Sequence, residues 1–167
     1  MSDDLQALLD KQAIHEALYK YCRSVDRLDV ALGHSVFHED SYADYGAEVY
    51  QGPGKGCIDA IIKTHDHLTG HSHQISNILV ALDGDRAGSE AYMTGTMRML
   101  RDGKEFQIFV RARYLDQWEK RDGRWAITRR QLAYDHDEVR EVTSMRGTAN
   151  ATRDASDPSY ALLKGLK

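Results

Sequence analysis

The sequence predicts an α+β fold in which helices come first and a coiled antiparallel sheet follows. Three observations carry that expectation. Apolar residues recur at helical spacing from Leu5 to Val25, and helical periodicity stops after Gly70. Beyond Gly70, three turns, Asp83-Gly84-Asp85, Arg101-Asp102-Gly103 and Arg121-Asp122-Gly123, separate long runs. Asp-Gly between alternating runs is the strongest short-range hairpin signal. A chain of 167 residues suits one domain of ordinary size.

The elements follow in order. Leu5, Leu8 and Leu9, then Ile14, Leu18, Tyr21, Cys22 and Val25 form one helical stripe. Asp10 could cap a restart, so Ser2 to Leu9 is expected as a separate short element. A second short helix runs from its N-cap Asp29 to about His38, burying Val30, Leu32, Val36 and Phe37. Ser41 to Gln51 reads as two short strands around Gly46. Gly52-Pro53-Gly54 breaks the chain, and Lys55 to His67 forms a third helix on Ile58, Ile61 and Ile62.

Four long strands come next: His73–Leu82, Arg86–Leu100, Lys104–Lys120 and Arg124–Tyr134. Joined by tight turns they make a meander. Strands this long coil, so a cone-shaped sheet wrapped on three helices and enclosing an apolar pocket is expected. The domain is placed at residues 1–136. Residues 137–167 are an extended tail ending in a short helix around Tyr160-Ala161-Leu162-Leu163.

Composition narrows the function classes. Hydrophobic residues make up 41% and charged residues 29%, unlike a disordered tail or a membrane span. A net charge of −4 and no basic stripe argue against a nucleic-acid partner. Two cysteines, Cys22 and Cys57, supply no disulfide framework. The acidic start Met1-Ser2-Asp3-Asp4 is the wrong charge for a leader, so a cytoplasmic location is expected. Phosphate-binding loops, dinucleotide fingerprints and Ser-His-Asp elbows are not found in the sequence, and no cofactor is expected.

Histidines crowd at His65, His67, His71 and His73. Metal binding is disfavoured, because Gly70 separates a helical pair from a strand pair. His65 and His67 are expected to be solvated at a helix end, and His34, His38 and His136 at the surface. His73 on period two shares a face with Ile75, Asn77, Leu79 and Ala81, which suggests a pocket wall. Asp26 falls one residue after the buried stripe member Val25, at the end of the first helix. There a carboxylate meets the negative end of the dipole unless a donor faces it. An ionised Asp behind an imidazole fixes its tautomer and stabilises its cation, which makes a general base. Met93, Met97 and Met99 share one strand face. Arg129, alternating with Ile127 and Gln131, is the candidate for binding a phenolate or leaving-group oxygen.

Four motifs extend this reading: Val25-Asp26-Arg27 at the helix end, Tyr50-Gln51-Gly52-Pro53-Gly54-Lys55-Gly56 before the third helix, His73-Gln74-Ile75-Ser76-Asn77 opening the first long strand, and Arg121-Asp122-Gly123-Arg124-Trp125 followed by Arg129-Arg130. With them the chain resembles the SnoaL-like branch of the nuclear-transport-factor-two-like superfamily, in particular its hexachlorocyclohexane dehydrochlorinases and scytalone dehydratases. The resemblance runs from about Asp10 to Tyr134. It implies a cone fold and a catalytic dyad of His73 and Asp26; beside the dyad, Tyr21, Tyr42, Tyr45, Asn77, Met93 and Arg129 are expected to bind substrate. The second pocket histidine of scytalone dehydratases has no counterpart between Arg86 and Tyr134, which favours bare base-promoted elimination.

The expected activity is a cofactor-independent lyase, a dehydratase, dehydrohalogenase or formaldehyde-releasing type, acting on a small apolar or aromatic molecule. The alternatives are an isomerase or cyclase in the same pocket, or a non-catalytic ligand-binding or dioxygenase small-subunit-like protein. A homodimer or homotrimer is expected, since the open back of such a sheet needs covering.

Overall fold

The structure, a computed structural model, describes residues 3–143 and 146–166. Helix α1 (Asp3–Asp26) is followed by α2 (Val30–Ser35), β1 (Phe37–Asp44), β2 (Gln51–Pro53) and α3 (Gly54–His65). Four long strands come next: β3 (Gly70–Asp83), β4 (Arg86–Arg101), β5 (Lys104–Arg121) and β6 (Arg124–Glu141), and a short α4 (Ser159–Leu162) closes the described chain. One six-stranded unclosed sheet has the order β2-β1-β6-β5-β4-β3, with β1 parallel to β6 and all other pairs antiparallel.

Helix α1 is continuous, so the expected break at Asp10 does not occur. The Asp10 carboxylate accepts from Gln6 Nε2 (3.2 Å), Lys120 Nζ (2.8 Å) and Trp125 Nε1 (2.8 Å). It ties the helix to β5 and β6 and caps nothing. Burial begins at Ile14 and continues through Ala17, Leu18, Tyr21, Cys22 and Val25, whereas Leu5, Leu8 and Leu9 are exposed. Each fully buried aliphatic on that stripe contributes about 1.5–3 kcal/mol.

The expected N-cap Asp29 does accept from Leu32 N at 3.0 Å. Helix α2 stops earlier than expected because Phe37 enters β1 opposite Ile127. His38, expected at the surface, is buried with Nε2 2.9 Å from the Glu119 carbonyl oxygen. Gly54 starts α3 where a Cβ would run into Ser41 and Phe37, so only glycine lets the helix approach β1 this closely. β6 extends to Glu141, into the stretch expected as tail, because its residues from Asp137 to Glu141 pair with β5 from Phe106 to Val110.

Two of the sheet's irregularities reset side-chain alternation at residues expected in the site. One lies between Ser76 and Leu79 of β3, where Asn77 has φ +50°. The other lies between Gln117 and Trp118 of β5, opposite the stretch from Ile127 to Arg129. A one-residue slip moves every later side chain to the opposite face. Asn77 and Leu79 are therefore exposed, while Ile78 and Val80 turn inward. Arg129 is exposed and Arg130 is fully buried.

Among the described residues, no helix is long and apolar enough to cross a membrane.

Candidate active site

Asp26 is the last residue of α1, and the helix ends in a Schellman turn. Asp29 N donates to Ser24 O (2.8 Å) and Leu28 N to Val25 O (3.3 Å), with Leu28 at φ +54°. A non-glycine residue in that left-handed region costs about 1–2 kcal/mol. The turn points Asp26 at β3, the strand at the end of the sheet. There it meets the donors that a carboxylate at a helix C-terminus requires. His73 N lies 3.0 Å from both Asp26 oxygens, and His73 Nδ1 lies 2.7 Å from Oδ1. The side chains are only 8% and 15% exposed. Because the carboxylate accepts, Nδ1 carries the imidazole proton and Nε2 keeps its lone pair.

A cleft of about 380 Å³ opens on this pair. Tyr19, Cys22 and Ile75 supply its apolar wall, and Arg23, Arg27 and Gln74 its polar one. Its volume is within the range that holds a small organic molecule. The α1 residues of the wall recur at positions 19, 22, 23, 26 and 27, a helical stripe of which the expected site included only Asp26. The C-terminal stretch packs beside it. Arg23 Nη1 donates to Ser159 Oγ (3.0 Å), Arg27 pairs with Asp157 (3.5 Å), and Tyr160 donates to Asp29 (3.2 Å).

Three imidazoles converge here, contrary to the expectation that Gly70 keeps them apart. Ring centroids are 4.9 Å apart for His65 and His71, 5.4 Å for His65 and His73, and 6.0 Å for His71 and His73. The chain reverses between His65 at the end of α3 and Gly70 at the start of β3, so His65 faces His71 and His73. His65 is half-buried, with Nδ1 donating to Ile61 O at 2.7 Å, and burial pushes its pKa down to about 4. His71 donates from Nε2 to Val25 O at 2.9 Å, and burial lowers its pKa too. His67 is exposed, as expected. Among the described residues, no group of three His, Cys, Asp or Glu side chains is arranged to hold a metal ion.

The other expected site residues lie elsewhere. Tyr21 and Tyr45 are buried with their hydroxyls 2.6 Å apart, and Tyr21 packs edge-on against Tyr114 and Phe37. Burial pushes both phenols above their ordinary range. Met93 is buried in the core. Tyr42 and Arg129 are exposed and face each other, the guanidinium 5.3 Å from the ring centroid. Asn77 sits exposed on the β3 bulge. The buried arginine is the next residue along. Arg130 makes a bidentate pair with Asp116, both bonds 2.7 Å, and its guanidinium lies 4.1 Å from the ring centroids of Tyr21 and Tyr114. Two adjacent arginines on one strand advertised that one of them points inward, and the bulge decided which.

Comparison with known proteins places this geometry among related folds. A family model described as a SnoaL-like domain matches residues 6–131. None of the curated proteins matches in sequence. Among solved structures, a protein named as a scytalone dehydratase from Novosphingobium aromaticivorans is similar at 22% identity and TM-score 0.66, covering 86% of this chain and 97% of its own. A hexachlorocyclohexane dehydrochlorinase (LinA) of type 2 shares 14% identity with TM-score 0.75, over 89% of this chain and 99% of its own. The Kfla4162 protein of Kribbella flavida shares 19% identity with TM-score 0.70, over 79% and 95%. At these identities the likeness is one of fold.

Proposed function

The chain belongs to the SnoaL-like domain family, and on that premise we propose that it is a cofactor-independent lyase whose general base is His73. The observation that carries this reading is the 2.7 Å bond from His73 Nδ1 to Asp26, which leaves a bare Nε2 on a residue lining the cleft. His73 Nε2 takes a proton from a carbon or hydroxyl of the substrate. From a C–H the released pair forms a carbon–carbon double bond as a leaving group departs from the neighbouring carbon with its bonding pair. From a hydroxyl the oxygen pair forms a carbonyl, and the carbon–carbon bond to that carbon breaks to release a one-carbon aldehyde. The pair of the broken bond then forms the alkene as the leaving group departs. Asp26 holds the resulting imidazolium and strengthens its bond as positive charge develops.

The names of two structural neighbours, a dehydratase and a dehydrochlorinase, both denote eliminations, which supports this reaction class. The substrate is a small, largely apolar and aromatic molecule, which Tyr19, Cys22 and Ile75 suit. A base of this kind supplies about 10²–10⁴ in rate.

Screening aromatic alcohols, halides and diaryl propanes for the ultraviolet change of alkene formation identifies a substrate. His73→Ala, shown to be folded by circular dichroism, then loses turnover by that factor. Full turnover in the variant removes His73 from the mechanism. A product of unchanged formula carrying solvent deuterium at carbon identifies an isomerase instead.

A further inference from the structure

We infer that His71 is a positioning residue of the dyad, holding the carbonyl next to Asp26 and so setting the gap between helix α1 and the strand that carries the base. This inference rests on the reading of Asp26 and His73 given above.

β3 ends the sheet order, so on its outer side α1 packs against it in place of another strand. A sheet ladder fixes the spacing of two strands, but nothing of that kind fixes a helix against a strand edge. Here residues 71 and 73, alternate members of β3 that share a side, make the joint. His73 binds the Asp26 carboxylate with its backbone N–H and its ring. His71 Nε2 binds Val25 O, the carbonyl one residue before Asp26. Among the described residues, that carbonyl otherwise receives only the longer 3.3 Å bond from Leu28 N of the Schellman turn.

The chemistry of the His71 ring is fixed by its partner. A carbonyl only accepts, so Nε2 carries the proton and Nδ1 is a bare acceptor, buried and without a hydrogen-bond partner among the described residues. Leaving a buried acceptor unmet is destabilising. An apolar side chain of the same size would fill the space without that cost. What the imidazole adds at this position is therefore the bond to Val25. If that bond is lost, the last turn of α1 can shift on β3, and a displacement near 1 Å of a catalytic group is worth about 10²-fold in rate.

The test pairs two variants of the full chain, His71→Phe, which keeps a ring but no donor, and His71→Gln, whose amide can donate to the carbonyl. Proton NMR of the His73 Nδ1–H, bonded to Asp26, reads the dyad directly and needs no substrate. In His71→Phe that resonance should shift or vanish, with kcat on the substrate found above down about 10–100-fold and KM within about twofold of wild type. His71→Gln restores the resonance and most of kcat. An unchanged resonance and kcat in His71→Phe, with only stability lowered, overturns the inference. Ring-nitrogen NMR of the unaltered protein checks it without any variant. His71 must be the Nε2–H tautomer, and finding the proton on Nδ1 refutes the proposal. Should His73→Ala keep full turnover while His71→Phe still loses the resonance, the lyase reading fails and the positioning role stands.

Discussion

Two carboxylates in this protein each face one basic partner, and their settings differ. Asp116 and Arg130 are 0% exposed, locked by two parallel bonds and flanked by the rings of Tyr21 and Tyr114. Asp26 and His73 are slightly exposed and border a cleft. A guanidinium keeps its charge under all ordinary conditions, so the first pair exchanges no proton and serves packing and uniqueness. An imidazole can take up a proton and give it back, so the second pair can do chemistry. What separates a structural ion pair from a base is the partner's acidity together with access to the cleft.

The largest effect that sharpens this contrast is on stability. Arg130→Met leaves the Asp116 carboxylate buried and unpaired, a loss of about 3–5 kcal/mol. Denaturant titration should show the midpoint falling, with the pH profile of turnover per folded molecule unchanged. A profile that moves with Arg130 would break the division between the two pairs.

The next effect tests whether the histidine side responds to pH. Burial holds the folded pKa of His65 near 4, against about 6.5 in an unfolded chain. Between those values the unfolded chain binds a proton that the folded one refuses. Stability is therefore full above pH 6.5 and declines as pH falls towards 4, by up to about 3 kcal/mol. Unfolding midpoints measured across that window should slope downward towards acid, and His65→Gln should flatten the slope. An equal slope in the variant would locate the effect elsewhere.

The smallest effect concerns the arginine beside the buried one. Arg129→Gln removes an exposed contact with Tyr42 and should change stability by no more than about 0.5 kcal/mol. Thermal melts check it, and a loss as large as that for Arg130 would reverse the assignment of faces.

Much of the fold was legible because local chemistry encodes it. Asp102-Gly103 and Asp122-Gly123 both adopt positive φ between paired strands, as a two-residue hairpin loop demands. The Gly-Pro-Gly break before α3 and the Asp29 cap are equally local signals. The bulges are not, since Asn77 and the stretch around Thr128 look like ordinary strand residues. Missing them put Arg129 and Asn77 on the wrong face. Tertiary partners were also hidden. Asp10 looked like a cap because Lys120 and Trp125 are distant in sequence, and His65 looked solvated because its neighbour His71 lies across a chain reversal. The contact of Asp26 with His73 spans 47 positions. Helix phase, strand period and the need of a helix-terminal carboxylate for a donor suggest the pairing, and the family resemblance adds to it.

The most direct measurement compares Asp26→Asn with Asp116→Asn for turnover per folded molecule. An amide at position 26 can still fill the space but no longer supports an imidazolium on His73. Asp26→Asn should keep a melting midpoint near wild type and lose turnover by about 100-fold or more. Asp116→Asn should have a lower midpoint and nearly full turnover in the folded fraction. Wild-type turnover in Asp26→Asn would contradict the central claim.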